Sequence, residues 1–150
     1  MNRTQKQKVE LLCQQRGVRL TPQRLTVLEL IVSHQGAISA YDLLEQLKKI
    51  EPQAKPPTIY RALDFLVTQD FVHKVESINS YISCCVIGEH AHFSQLFICR
   101  TCDDVVEFHD IKITEQLTKH AEQIGFSVEN HIVETHGTCK ACLSNNNNKN

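Results

Sequence analysis

The chain has 150 residues, of which 41% are hydrophobic, 22% charged and 6% aromatic, and its formal net charge is -1. This balance excludes disordered and fibrous proteins and is typical of one or two globular domains. Because no apolar run approaches the roughly 20 residues of a transmembrane helix or forms a secretory signal, we expect a cytoplasmic protein. Its seven cysteines and eight histidines favour metal ligation or thiol chemistry over a disulfide framework.

Charge divides the chain into two halves. The first 80 residues carry 11 Lys and Arg against 8 Asp and Glu, whereas the remaining residues carry 5 against 9. A basic half suits a polyanionic partner and an acidic half repels one, so we expect the two halves to differ in function.

The basic half is predicted to form four helices and a β-hairpin. Apolar residues at helical spacing, together with capping residues, place the helices at about 5–16, from Thr21 to about 36, from Ser39 to about 51, and from Pro56 onwards. In the fourth helix, buried positions are predicted for Ile59, Ala62, Leu63 and Leu66. Two strands, 71–76 and 80–85, follow with turn residues between them.

This succession of helices and a hairpin predicts a winged helix-turn-helix. In such folds the last helix enters the DNA major groove and the hairpin, or wing, touches phosphates. Thr58, Tyr60 and Arg61 occupy the first turns of the fourth helix and are therefore candidate DNA contacts. Considered alone, the helix also fits a surface helix whose Tyr and Arg cover the edge of the core.

The strongest chemical signal is a pair of CxxC motifs in the acidic half, Cys99 with Cys102 and Cys139 with Cys142. Two such pairs supply the four thiolates of a closed tetrahedral zinc site. A redox CxxC would instead occur once, before a helix. We therefore predict a structural zinc site.

The segment between the two motifs is predicted to be strand, helix and strand. The strands are 105–108 and 126–134, and Gly125 ends the helix between them. The apolar stripe of this amphipathic helix consists of Ile113, Leu117, Ala121 and Ile124.

A second group of metal-ligating residues surrounds the junction of the two halves: His73, Cys84, Cys85, His90, His92, Glu107 and His109. A hairpin turn centred on residues 78 and 79 predicts that His73 lies directly opposite Cys84, at a separation suited to two ligands of one metal. His92 and Glu107 come from the acidic half. We therefore predict a metal site that joins the halves, held by His73, Cys84, His92 and Glu107. Cys85 in place of Cys84, and His90 in place of His92, remain open alternatives.

Segments 19–24, 38–44, 55–63 and 71–76, together with both CxxC pairs, closely resemble the ferric uptake regulator family and specifically its zinc uptake regulator branch. The resemblance covers about residues 13–142. It implies a homodimeric repressor that binds palindromic AT-rich operator DNA in response to metal. It also implies that Cys99, Cys102, Cys139 and Cys142 hold structural zinc, that His73, Cys84, His92 and Glu107 hold regulatory zinc, and that Tyr41, Arg61 and Tyr60 match operator-contacting or recognition-helix residues.

Two departures from the iron-type members point to zinc. The histidines before the first CxxC motif, His90 and His92, lack the aspartate that accompanies them in those members. Cys84 adds a soft thiolate to a set that is otherwise imidazole and carboxylate, which favours zinc over iron or manganese. We expect two zinc ions per chain, and keep an iron-, manganese- or peroxide-responsive regulator of the same family as the alternative.

The predicted fold class is α+β. Residues 1–83 are expected to form the winged-helix DNA-binding domain, 84–91 a hinge, 92–143 a small α/β dimerisation domain, and 144–150 a disordered tail. A zinc hydrolase needs an open coordination position, and four protein ligands leave none. We therefore expect no enzymatic activity, small-molecule substrate or membrane partner.

Overall fold

The computed structural model describes residues 1–87, 93–128 and 132–147, and these form two compact units, Met1–Gly88 and Glu89–Asn150. Within the described residues no helix combines the length and the apolar character needed to cross a membrane. Each unit contains both helices and strands, which confirms the predicted α+β class.

The first unit has the predicted order of four helices and a hairpin. Its strands form one antiparallel sheet in the order β1, β3, β2. The elements are α1 (Arg3–Gln15), α2 (Pro22–Ser33), β1 (Ile38–Ser39), α3 (Ala40–Lys48), α4 (Pro56–Thr68), β2 (Val72–Val75) and β3 (Ser80–Ser83). This arrangement is the predicted winged helix-turn-helix, with α4 in the recognition position and β2–β3 as the wing.

The helices begin where the capping residues predict. The Thr21 side chain caps α2 by accepting from the backbone N–H of Arg24. Ser39 caps α3 by accepting from the backbone N–H of Asp42, and its own hydroxyl donates to that carboxylate at 2.6 Å. Pro56 lies in the first turn of α4, where a missing backbone N–H costs no helical hydrogen bond.

The core of the first unit holds α4 along one face. Ile59, Ala62, Leu63 and Leu66 are all buried, as the helical spacing predicts. Large side chains from α1, α2 and α3 belong to the same apolar cluster. Packing onto the core therefore fixes the position of α4, and the polar side chains of its opposite face point away from the core.

The predicted register of the wing is wrong by two residues. Residues 76–78 form a short 3₁₀ turn and Asn79 adopts the left-handed conformation with φ 47°, so the loop has four residues and β3 begins at Ser80. His73 consequently pairs with Ile82 rather than with Cys84. This loop is centred on residues 77 and 78 instead of 78 and 79, and Asn79 can close it because Asn tolerates left-handed φ better than most residues. Because the shift is an even number, Cys84 still faces the same side of the hairpin as His73.

The described residues of the second unit form a three-stranded sheet and two helices. Its elements are β4 (Ser94–Cys99), β5 (Val105–Phe108), α5 (Ile111–Gln123), β6 (Ile132–Gly137) and α6 (Lys140–Asn147). The strand order is β5, β4, β6, with β4 antiparallel to β5 and parallel to β6. The prediction of β5 is confirmed, and Gly125 follows α5 with φ +69°.

Two boundaries in this unit differ from the predictions. The last strand begins at Ile132 instead of residue 126, because its pairing with β4 starts only where Ile132 meets Ser94. The helix α6 continues to Asn147, into the segment 144–150 predicted to be disordered. The Ser144 hydroxyl donates to the Lys140 carbonyl at 3.0 Å inside this helix.

Core packing beneath α4 predicts a specific stability difference. Leu63 is 1% exposed, so Leu63→Ala should leave a cavity and lower the free energy of unfolding by about 2–5 kcal/mol. Leu11→Ala is the matched control, because Leu11 is 53% exposed and should lose only about 0.5 kcal/mol. Urea unfolding followed by circular dichroism measures both variants. Equal losses would contradict the assignment of this face to the core.

Candidate metal centre and nucleic-acid interface

The parallel pairing of β4 with β6 brings the two CxxC motifs together. Cys99, the last residue of β4, pairs with Gly137, the last residue of β6, and the backbone N–H of Arg100 donates to the Gly137 carbonyl at 2.9 Å. Cys102 lies in the turn after β4, and Cys139 and Cys142 lie just before and within the start of α6. As a result, all four Sγ atoms lie within 4.8 Å of one another.

The sulfur geometry fits a tetrahedral metal and not a disulfide. The Sγ atoms of Cys102 and Cys139 are 3.7 Å apart, and all seven cysteines are free thiols. A tetrahedral zinc with bonds of about 2.3 Å to sulfur separates its ligands by roughly 3.8 Å, whereas a disulfide bond measures about 2.05 Å. Four thiols in this arrangement would hold zinc in a closed site with no position left for a reacting water.

Hydrogen bonds shift the pKa values of the clustered thiols in opposite directions. The backbone N–H of Cys139 donates to Cys99 Sγ at 3.3 Å and, with the N–H of Thr101, lowers the pKa of Cys99 to about 6. The thiol of Cys102, followed by that of Cys139, raises the pKa of Cys142 to about 12. Neighbouring thiolates repel one another, so the cluster ionises completely only around a cation, which releases protons as it binds.

Asp103, which was not among the residues predicted from the sequence, shapes the first metal-binding turn. Asp103 is left-handed with φ 55°, and its backbone N–H donates to the Cys99 carbonyl at 2.9 Å. This bond folds the chain back so that Cys102 turns toward Cys99. The signal that could have revealed it is an Asp directly after a CxxC motif, since Asp tolerates left-handed φ.

His73 and Cys84 form a pair of candidate ligands inside the first unit. Both residues are buried, and their ligand atoms lie within 4.8 Å of each other. Cys84 follows the end of β3, and its backbone N–H donates to the Phe71 carbonyl at 3.0 Å, which continues the strand pairing. The even register shift thus keeps the two ligands close although they are not directly opposite.

The other two predicted ligands do not belong to the first unit. Glu107 lies on β5, where it pairs with Leu96 of the second unit. His92, and the alternative ligand His90, lie outside the described residues. The four-residue regulatory set therefore stays a prediction.

The predicted DNA-contacting side chains lie at the starts of α3 and α4. Tyr41 is 72% exposed and Tyr60 51%, and Arg61 is also exposed. Thr58 is half-buried, and its hydroxyl accepts from the backbone N–H of Lys55 at 3.3 Å, so it also caps α4. Three aromatic or cationic side chains are thus available to a ligand, whereas the Thr58 hydroxyl is engaged in the helix start.

A contact between α2 and α4 was missed from the sequence. The Arg24 guanidinium lies 3.8 Å from the centroid of the Phe65 ring, and it also donates to the Arg19 carbonyl. The guanidinium covers the Phe65 ring, which is half-buried on α4. A cation–π contact between residues far apart in sequence leaves no local pattern, and here it fixes the recognition helix to α2.

Apolar side chains remain exposed in the second unit. Of the stripe predicted for α5, only Ala121 is buried, while Ile113 and Leu117 are partly exposed and Ile124 is 80% exposed. Other exposed apolar side chains in this unit are Phe97, Val106, Ile111, Phe126 and Leu143. Most of this stripe therefore lies outside the core of the unit. Such a surface is typical of a site covered by another protein.

Comparisons with known proteins cover both units. The model of the ferric uptake regulator family matches residues 15–136. The zinc uptake regulation protein of Escherichia coli strain K12 is 52% identical over 134 residues, which are 89% of this chain and 78% of that protein. The peroxide operon regulator of Bacillus subtilis strain 168 is 30% identical over 135 residues, with 87% and 88% covered. A solved zinc uptake regulator complexed with zinc and DNA is 48% identical, with a TM-score of 0.88 over 98% of this chain and 99% of that one.

The four-cysteine cluster predicts a metal that supports folding. Cys102→Ser should remove this metal and lower the melting temperature by about 10 °C or more, because a structural zinc contributes directly to folding. Cys85→Ser is the matched control, since Cys85 is exposed and lies outside the cluster. Elemental analysis and thermal melting measure both effects. Unchanged zinc content in Cys102→Ser would contradict the site.

Proposed function

The chain belongs to the ferric uptake regulator family, and we propose that it is a zinc-responsive transcriptional repressor. It binds palindromic AT-rich operator DNA as a homodimer when its regulatory site holds zinc, and it thereby shuts off zinc uptake genes. Similarity to a zinc uptake regulation protein and to a regulator solved with zinc and DNA supports this function. The observation that carries the choice of metal is the buried pair of Cys84 with His73.

The ligand chemistry of the first unit favours zinc over the other metals of the family. Cys84 offers a soft thiolate within 4.8 Å of the His73 imidazole. Iron and manganese in octahedral sites prefer imidazole, carboxylate and water, whereas zinc accepts mixed sulfur and nitrogen ligands. The similarity to a peroxide operon regulator reflects the shared family, but this donor pair is better suited to zinc sensing.

Each chain is proposed to hold two zinc ions with different tasks. Cys99, Cys102, Cys139 and Cys142 hold the structural ion, and His73, Cys84, His92 and Glu107 hold the regulatory ion. Four thiolates outweigh the charge of Zn²⁺, whereas two neutral imidazoles, one thiolate and one carboxylate balance it. The filled regulatory site therefore carries no net charge in a protein that must approach DNA.

Sequence recognition is assigned to the exposed face of α4. Arg61 is the candidate for base contacts in the major groove, because a guanidinium can bind the two acceptors of guanine. Tyr60 and the exposed Tyr41 of α3 flank it as further contacts, and Thr58 positions the first turn of α4. Arg24 on Phe65 and the buried side of α4 keep this face in a fixed orientation.

The exposed apolar surface of the second unit is the proposed dimer contact. A second copy covering Ile124 and the neighbouring apolar side chains would remove from water a surface that one chain leaves open. A two-fold dimer presents two recognition helices to half-sites related by the same axis, which explains a palindromic operator.

Zinc acts in this proposal by changing the population of the DNA-competent state. An ion held by residues on both sides of segment 84–91 restricts that segment, and its loss frees it. Moving the competent state from roughly 1:99 to 99:1 requires a preference of about 5.5 kcal/mol, part of which DNA itself supplies by binding the same state.

The metal requirement can be tested on the ligand pair. In gel-shift titrations with zinc, iron or manganese at matched free concentrations, zinc should give the tightest operator binding. Cys84→Ser should lose this zinc dependence and one bound zinc, yet keep the dimer and the four-cysteine zinc. Cys85→Ser is the control and should behave like the wild type. Operator affinity that ignores zinc would rule out the proposed repressor.

The recognition helix can be tested separately from the metal. Arg61→Ala should weaken operator binding by about 1–3 kcal/mol and relax the choice of base, because it removes a base contact. Both zinc ions should remain, as measured by elemental analysis. Arg3→Ala removes the same charge from α1 and should leave base preference unchanged. If Arg61→Ala lost the same affinity for every DNA sequence, Arg61 would instead contact a phosphate.

A further inference from the structure

One charged pair on the wing has no place in the recognition scheme above. Lys74 on β2 donates from Nζ to Glu76 Oε2 at 2.6 Å. The side chains are 34% and 71% exposed, so this pair lies at the surface. Glu76 is the first residue of the four-residue wing loop.

The same pair lies beside the recognition helix. Lys74 is directly opposite Tyr81 in the wing. Burial raises the pKa of the Tyr81 phenol, the Lys74 ammonium opposes this shift, and Tyr60 and Asp64 of α4 add to it. Lys74 lies on β2, the strand that contacts α4, so it is placed next to the helix on which a duplex would dock.

We propose that Lys74 contacts a DNA phosphate and that Glu76 holds Lys74 in the free protein until the phosphate displaces it. This proposal deepens the proposed function and rests on it. When DNA is absent, the Glu76 carboxylate accepts a hydrogen bond from the Lys74 ammonium. A DNA phosphate competes with this carboxylate for the same donor. Because exposed ion pairs are weak, DNA can break this one easily. The pair thereby reduces binding to every sequence alike and leaves discrimination to α4.

Glu76→Gln tests the competition. Freeing Lys74 should tighten binding to operator and random duplexes by the same factor, about two- to fivefold per wing, and steepen the dependence of affinity on salt. Lys74→Gln should weaken binding to both duplexes and lower the salt slope by about one per wing. Lys74→Arg keeps the charge and should keep most of the affinity. Glu10→Gln, on α1, removes the same exposed charge from the same unit as a control.

The double variant Lys74→Gln/Glu76→Gln separates this mechanism from simple repulsion of DNA by Glu76. If Glu76 acts by holding Lys74, the double variant should bind like Lys74→Gln alone. If the gain from Glu76→Gln persists in the absence of Lys74, or equals that of Glu10→Gln, the proposal is wrong. The random duplex at low salt reports on Lys74 even if the operator shows no zinc dependence, so the two proposals can fail independently.

Discussion

The parallel pairing of β4 with β6 is the constraint on which the second unit depends. The strands end together at Cys99 and Gly137, and this register places the thiols that follow both strands around one point. A register shifted by two residues would move one motif by roughly 7 Å along the strand and separate the sulfur atoms. A zinc ion bound there would fix the ends of the strands while the strands fix the ligands, so metal binding and sheet register would stabilise each other.

This mutual dependence matters because the second unit buries few large side chains. Leu96 and Ile98 are buried, but most of the apolar stripe of α5 is not. A small unit with an incomplete core needs additional links, and a structural metal and a partner subunit are the usual ones. In contrast, the first unit packs four helices around one apolar cluster that supports α4.

The sequence predicted those features that depend on local chemistry. Thr21, Ser39 and Pro56 placed the starts of three helices, because caps and proline act within one turn. The CxxC spacing likewise identified four thiols that lie together. The wing register was missed because it depends on whether Asn79 adopts a left-handed conformation, which alternating hydrophobicity does not reveal. The contact of Arg24 with Phe65 depends on how α2 packs against α4, and so requires the tertiary structure.

The two proposed zinc sites require different affinities for zinc, and their different ligand sets give those affinities. Four thiolates in a closed cluster bind zinc tightly enough for the ion to act as part of the fold. A set with one thiolate, Cys84, offers a weaker and more exchangeable site, as sensing requires. Thermodynamic linkage adds a reciprocal condition: a zinc ion that raises operator affinity by some factor must itself be held more tightly by that factor when DNA is bound. The operator complex would therefore retain zinc at concentrations at which the free protein releases it, so half-repression would lie at a lower zinc concentration than half-saturation of the free protein.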